Sequence, residues 1–283
     1  MPSAQTSVVE MPSGKDVAYE NFPVGSWLLP AELRPYVAVF YAYARAIDDI
    51  ADSAELVAEE KVVRLSGFER ALLGGEIDNP AYAKAHAMRR SLNAAGITSR
   101  HCLDLISAFK QDAVQHRYAD WPELIHYCDR SAAPVGRFLL DLHGGCRLGY
   151  GPADALCNGL QVINHLQDCQ DDFRKLDRVY LPMGWFHEEG ARVEDLDRTA
   201  ITPSLRRVVD RCLDGVDRLL VEARALPGGL HSRRLAMESA AILDIARTLV
   251  ARLRAHDPLA RRVQLSKVDY ALCCLRGVAS VWI

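Results

Sequence analysis

The chain of 283 residues has no run close to the roughly 18 uncharged apolar residues that a membrane span needs, so it predicts no transmembrane helix. Charge of one sign is lacking too. With 34 basic and 37 acidic side chains the net charge is −3. That excludes a general cationic field for nucleic acid, and any anionic ligand must be held by a local site or a metal. No Ser/Gly/Pro-rich linker divides the chain, and no repeat recurs at a solenoid period. Alternating strand patterns with turn signals are missing, which excludes a sheet-based fold. There is no glycine-rich nucleotide loop, so no NADPH is expected. The eight cysteines (102, 128, 146, 157, 169, 212, 273 and 274) have neither CxxC nor Cys/His metal spacing. They are expected to be reduced thiols serving as small apolar residues in a cytoplasmic protein. Met1 to Val17 lacks the basic region and apolar core of a secretory signal and is expected to be disordered.

What the chain does have is helical periodicity. Leu33, Val37, Phe40, Ala44 and Ile47 recur at threes and fours and predict a buried helix over 31–53, with Pro35 in its first turn. Further helices are expected at 56–73, closed by Gly74-Gly75, from Asn79-Pro80 to about Gly96, and from a capping Ser99 to about Tyr118. A fifth starts at Trp121-Pro122, is interrupted at Pro134 and runs to Gly144-Gly145; another opens at Asp154. The last three are expected at 204–225, 235–255 and 266–276, ahead of an apolar tail, Val278 to Ile283, long enough to cover core or touch a membrane surface. Residues 18–283 are therefore expected to form one all-α domain.

Two acidic stripes stand out. On the first helix Asp48 and Asp52 are four apart and share a face with Arg45 and Tyr41; Asp49 lies about 100° round. Like charges at that spacing repel and oppose the helix C-terminal dipole, so something positive should sit there. The second stripe lies 120 residues later, where Gln161, Asn164, Asp171 and Asp172 are offset −7, −4, +3 and +4 from Asp168. Facing each other, such stripes can hold hard divalent ions and, through them, a diphosphate; magnesium suits them because it takes one or two carboxylates per ion. The plainer alternative is a pair of solvated acidic faces, with Arg45 and Arg178 as structural ion-pair partners. His101, His116, His143 and His165 offer no ligand spacing and are expected to be surface or satisfied histidines, and Phe40 and Phe138 packing residues.

With these two acidic stripes, the chain resembles the squalene and phytoene synthase family over about 18–275. Phe40-Tyr41 with Arg45 before Asp48-Asp49-Ile-Ala-Asp52 carries the resemblance, as do Gln161 and Asn164 before Asp168 and Asp172, and Asp177-Arg178-Val-Tyr180-Leu-Pro182 after them. It implies an isoprenoid synthase bundle around a central apolar cavity. Three Mg2+ ions would be held by Asp48, Asp49, Asp52, Asp168, Asp171 and Asp172. Arg45 and Arg178 would contact phosphate, with Phe22, Gln161, Asn164, Tyr41 and Tyr180 around the substrate.

Within the family, the strings Glu20-Asn-Phe-Pro-Val24, Phe109-Lys-Gln-Asp112, Tyr127-Cys-Asp-Arg-Ser131 and Asn164-His-Leu-Gln-Asp-Cys169 resemble bacterial hydroxysqualene synthases of hopanoid pathways. The implied reaction turns presqualene diphosphate and water into hydroxysqualene and diphosphate. Partner enzymes would make the first compound and reduce the second, at or near the inner face of the membrane. Arg130 stands where coupling members of the family have a second tyrosine, and Tyr19-Glu-Asn21-Phe22 keeps only Phe22 of the family's Ser-x-Ser-Phe. Coupling of two prenyl diphosphates, or a silent assembly subunit, are the alternatives.

Overall fold

The computed structural model describes residues 9–10, 29–76, 79–145 and 149–281. Phe22, Cys146 and nearly all of the N-terminal stretch expected to be disordered lie outside them. Of that stretch, Val9 and Glu10 are held in place: Arg64 donates to the Val9 carbonyl at 3.0 Å, and Lys84 pairs with Glu10 at 2.5 Å.

The described residues are almost wholly helical, and they sort into two compact units, one taking in Pro30–Val114 and the other Gln115–Ile283. No helix among them is long and apolar enough to cross a membrane.

The first unit contains α1 (Arg34–Asp52), α2 (Ala58–Leu73), α3 (Ala83–Ala95) and α4 (Arg100–Asp112). Its core is built from the apolar stripes the sequence displays: Tyr43, Ile47 and Ile50 of α1, Leu65 and Phe68 of α2, Met88 of α3, and Leu105 and Ile106 of α4, each no more than 1% exposed. Gly74 (φ 104°) and Gly96 (φ 67°) end α2 and α3 in the left-handed conformation that glycine adopts without steric cost.

The fourth helix departs from expectation, stopping at Asp112 rather than near Tyr118. Beyond it Gln115 donates to the Arg117 carbonyl and to Glu123, and Arg117–Tyr118 (β1) lie extended. Nor does Ser99 cap it: its hydroxyl makes no capping bond, while Thr98 Oγ1 accepts from the Arg100 N–H at 3.2 Å.

The second unit is organised around α7 (Gly151–Leu176), which begins three residues ahead of Asp154. Before it come α5 (Trp121–Ser131) and α6 (Ala133–Leu142), broken at Pro134 as expected. After it, Val179–Pro182 (β2) runs parallel to β1, with the Val179 N–H donating to the His116 carbonyl. This short pair is the only sheet among the described residues. Then follow α8 (Met183–Glu189), α9 (Pro203–Ala223), α10 (Leu226–Gly229), α11 (Arg233–Ala255) and α12 (Lys267–Ser280).

α11 and α12 touch backbone to backbone: a Cβ at Gly277 would lie 2.3 Å from the Ala241 Cα and N. Gly277→Val must push the helices apart. We expect a loss of about 3 kcal/mol, at the upper end for overpacking, read as a lower urea midpoint; an unchanged midpoint contradicts this packing.

Candidate active site

On α1, Tyr41, Arg45, Asp48 and Asp52 form one half-buried stripe beside the buried Tyr43, Ala46, Ile47 and Ile50. The positive charge demanded by the sequence is Arg45, whose Nη2 lies 3.1 Å from Asp48 and whose Nε donates to Asp49 at 3.0 Å. Asp49 is nearly buried, so Arg45 compensates the cost of its desolvation. Lys61, itself buried, donates to the Ala51 carbonyl at 2.8 Å and so brings a cation to the last turn of α1.

On α7, Gln161, Asn164, Asp168 and Asp172 form a half-buried stripe of the same kind. Asp171 does not join it: its side chain is 55% exposed and pairs with Lys175 at 2.9 Å. Asp168 is gripped at both oxygens by Arg262, Nε to Oδ1 at 2.5 Å and Nη2 to Oδ2 at 3.0 Å. Gln167 fixes the segment carrying that arginine by donating to the Val263 carbonyl.

Asp177, left-handed at φ 51°, ends α7 and turns the chain so that Arg178 and Tyr180 enter the interior. Arg178 is 3% exposed. Tyr180 stacks on His165 at 3.7 Å and 12°, and packs against Tyr118 at 5.6 Å and Tyr127 at 5.5 Å. His165 Nε2 meets Gln161 Nε2 at 3.3 Å. It is thus a satisfied histidine, as expected, and interior rather than surface.

Burial, and secondarily the charge of Arg178, pushes the His165 pKa down to about 3 from 6.5. Folded His165 stays neutral while the unfolded imidazole protonates below pH 6.5, so its contribution to stability falls as pH drops from 6.5 toward 3. Glu238, raised by burial to about 7, acts in the opposite sense. Comparing His165→Phe with the parent at each pH cancels Glu238. The variant should gain about 2 kcal/mol relative to the parent between pH 7.5 and pH 5 in urea unfolding; a pH-independent difference contradicts a buried neutral imidazole.

Seven described cysteines are unpaired, and Cys169, beside Asp172 and Asp168, is raised to about 12 by burial and then by those carboxylates. Such a thiol is inert packing.

No group of three or more carboxylate, imidazole or thiolate side chains among the described residues converges as a metal cage. The donors nevertheless fit magnesium, which takes hard oxygen, needs only one or two carboxylates per ion and leaves its other positions to water and phosphate. Asp48, Asp52, Asp168 and Asp172 offer only oxygen, from helix faces neither solvated nor sealed.

The squalene/phytoene synthase family profile matches residues 16–269. The chain belongs to that family. It is 40% identical over 275 residues to the hydroxysqualene synthase of Rhodopseudomonas palustris, covering 97% of this chain and 93% of that one. It is also 40% identical over 254 residues to the hydroxysqualene synthase of Sinorhizobium fredii, covering 89% and 86%. Among solved structures, the squalene synthase HpnC from Alicyclobacillus acidocaldarius superposes with a TM-score of 0.70 at 29% identity, over 82% of this chain and 87% of that one. Membership of the family accounts for the helical architecture.

Sequence reasoning missed Arg262, which sits 94 residues from its carboxylate with no periodic relation to it, and the burial of His165. For His165 a signal existed: it lies between Asn164 and Leu166 on the helix that carries the acids, four residues after Gln161.

Proposed function

We propose that the chain is a hydroxysqualene synthase, converting presqualene diphosphate and water to hydroxysqualene and diphosphate. What carries this reading is similarity over nearly the whole length to relatives of that name. It is supported by the two half-buried stripes, in each of which one carboxylate, Asp48 or Asp168, is paired with an arginine.

In this proposal Asp48 and Asp52 of α1 and Asp168 and Asp172 of α7 all act on one magnesium-bound diphosphate, with Asp49 held back by Arg45. Asp171, out in solvent, contributes charge at most. Bound there, magnesium supplies Lewis-acid charge to the departing phosphate oxygens. Arg45 and Arg178 offer guanidinium forks to the same oxygens, and Arg262 can trade Asp168 for phosphate. The carbon–oxygen bond breaks with its electron pair leaving on diphosphate, the C30 cation rearranges, and one water adds its oxygen and loses a proton. Gln161, Asn164, Tyr41 and Tyr180 are assigned to orienting substrate and water. Neutral His165 keeps a second positive charge away from the cation and fixes the Tyr180 ring.

A cytoplasmic enzyme acting on such lipids works at the membrane surface, receiving its substrate from a presqualene diphosphate synthase and passing its product to a reductase. Full coupling of two prenyl diphosphates is the second reading, favoured by the solved relative named squalene synthase. A silent assembly subunit has no use for two half-buried stripes of paired aspartates.

Incubation with presqualene diphosphate and magnesium in 18O-labelled water decides the first reading. One labelled oxygen in a C30 alcohol is expected; an unlabelled or hydrocarbon product contradicts it.

A further inference from the structure

Away from the aspartate stripes, a cavity of about 570 Å³ is lined by elements of the second unit, with Arg224 at the end of α9, Arg247 of α11 and Arg276 of α12 among its walls. Its size falls in the range of ligand sites. Asp244, also in the wall, accepts from Arg276 Nε at 2.8 Å and neutralises that arginine. Arg224 and Arg247 form no ion pair among the described residues; burial first and then the Arg224 charge disfavour the Arg247 cation, with Asp244 partly offsetting them. A chain of net charge −3 thus gathers an excess of two positive charges at one concave spot. Guanidinium forks so arranged match phosphate oxygens.

α12, which forms one side of this cavity, carries a second feature. Cys273 and Gly277 face α11, whereas Val268, Leu272 and Leu275 point outward, 68%, 47% and 67% exposed. Spaced four and three apart, these three lie within one narrow stripe, and exposed Ala271 and Ala279 continue it without a charge. Arg276 follows Leu272 by four residues, so the stripe and the cavity are neighbours on the helix surface. An exposed apolar stripe beside a cavity that gathers arginines from neighbouring helices suits a membrane interface. A second copy of the chain fits poorly, because a two-fold contact through this face would oppose Arg224 and Arg247 to their own images.

We propose that this face docks the protein on a bilayer containing anionic phospholipid, a headgroup phosphate entering the arginine-lined cavity while Val268, Leu272 and Leu275 enter the acyl boundary. The proposal is independent of the reaction assigned above.

The test is co-sedimentation of the full chain with vesicles of phosphatidylcholine alone, or with roughly a third phosphatidylglycerol. Binding only to the anionic vesicles is expected, weakening as salt rises. Arg224→Ala/Arg247→Ala should weaken it about thirtyfold, at about 1 kcal/mol per basic side chain near such a surface. Leu272→Ser/Leu275→Ser should weaken it as well, with both double variants melting as the parent does. Binding that ignores phosphatidylglycerol or survives the arginine changes overturns the proposal. So does a chain that leaves vesicles in solution while inorganic phosphate raises the melting temperature of the parent but not of the arginine variant, which would mark a site for soluble anions. A dimer dispersed by the leucine changes, with vesicle binding intact, also overturns it.

Discussion

Asp168→Asn lowers turnover of presqualene diphosphate on the order of a thousandfold, at the upper end of what removal of one preorganised charge contact costs. The substitution keeps the side-chain volume and one carbonyl oxygen, so Arg262 retains one of its two bonds and α7 loses little. A partly exposed ion pair of this kind, 21% exposed at the carboxylate, contributes about 1 kcal/mol or less. The melting temperature should therefore stay within a few degrees of the parent's. A merely structural Asp168 makes a different set of expectations. Its value would lie in holding Arg262, and Arg262→Gln would then cost as much activity as Asp168→Asn, with no change in the magnesium dependence of the rate. If Asp168 instead meets the metal, Asp168→Asn shifts the magnesium concentration needed for half-maximal rate upward by at least tenfold, and Arg262→Gln leaves it near the parent's. Steady-state rates across a magnesium titration separate the two.

Farnesyl diphosphate offered alone, with magnesium, should yield neither a cyclopropyl diphosphate nor a C30 hydrocarbon, at a rate roughly a thousandfold or more below that of presqualene diphosphate. Arg130 is the reason. The family resemblance puts a coupling tyrosine at this position, and here α5 carries a guanidinium whose Nε is turned to the His126 carbonyl of its own helix at 3.4 Å. A phenol can give up its proton and take it back, whereas arginine stays protonated at every working pH. Chromatography of an overnight incubation checks this, and accumulation of a coupled product makes the chain a full squalene-type synthase instead.

Much of the architecture was legible because it repeats locally. The spacing of three and four that relates Asp48 to Asp52, and Gln161 to Asn164, Asp168 and Asp172, fixes which side chains share a helix face, and the half-buried stripes follow it. Gly74 and Gly96 marked helix ends because only a residue without a Cβ enters the left-handed region freely. What escaped was whatever depends on pairing across the chain. A two-residue strand at Arg117–Tyr118 cannot show alternation, and its partner lies some 60 residues away, so the α4 pattern was carried too far. Asp171 and Asp172 are adjacent in the chain and equally acidic, yet Lys175 draws the first into solvent. Arg262 is invisible to any periodicity.

One binding experiment bears most directly on the claim that the carboxylates of α1 and α7 serve a single diphosphate. Calorimetry with magnesium and a non-reactive farnesyl thiodiphosphate is run on the parent, Asp48→Asn, Asp168→Asn and the double variant. Groups that hold the same ions fail together, so each single change should remove most of the magnesium-dependent affinity and the double change little more. Losses that simply add, or a loss confined to one of the two aspartates, would show that the stripes do not share a ligand.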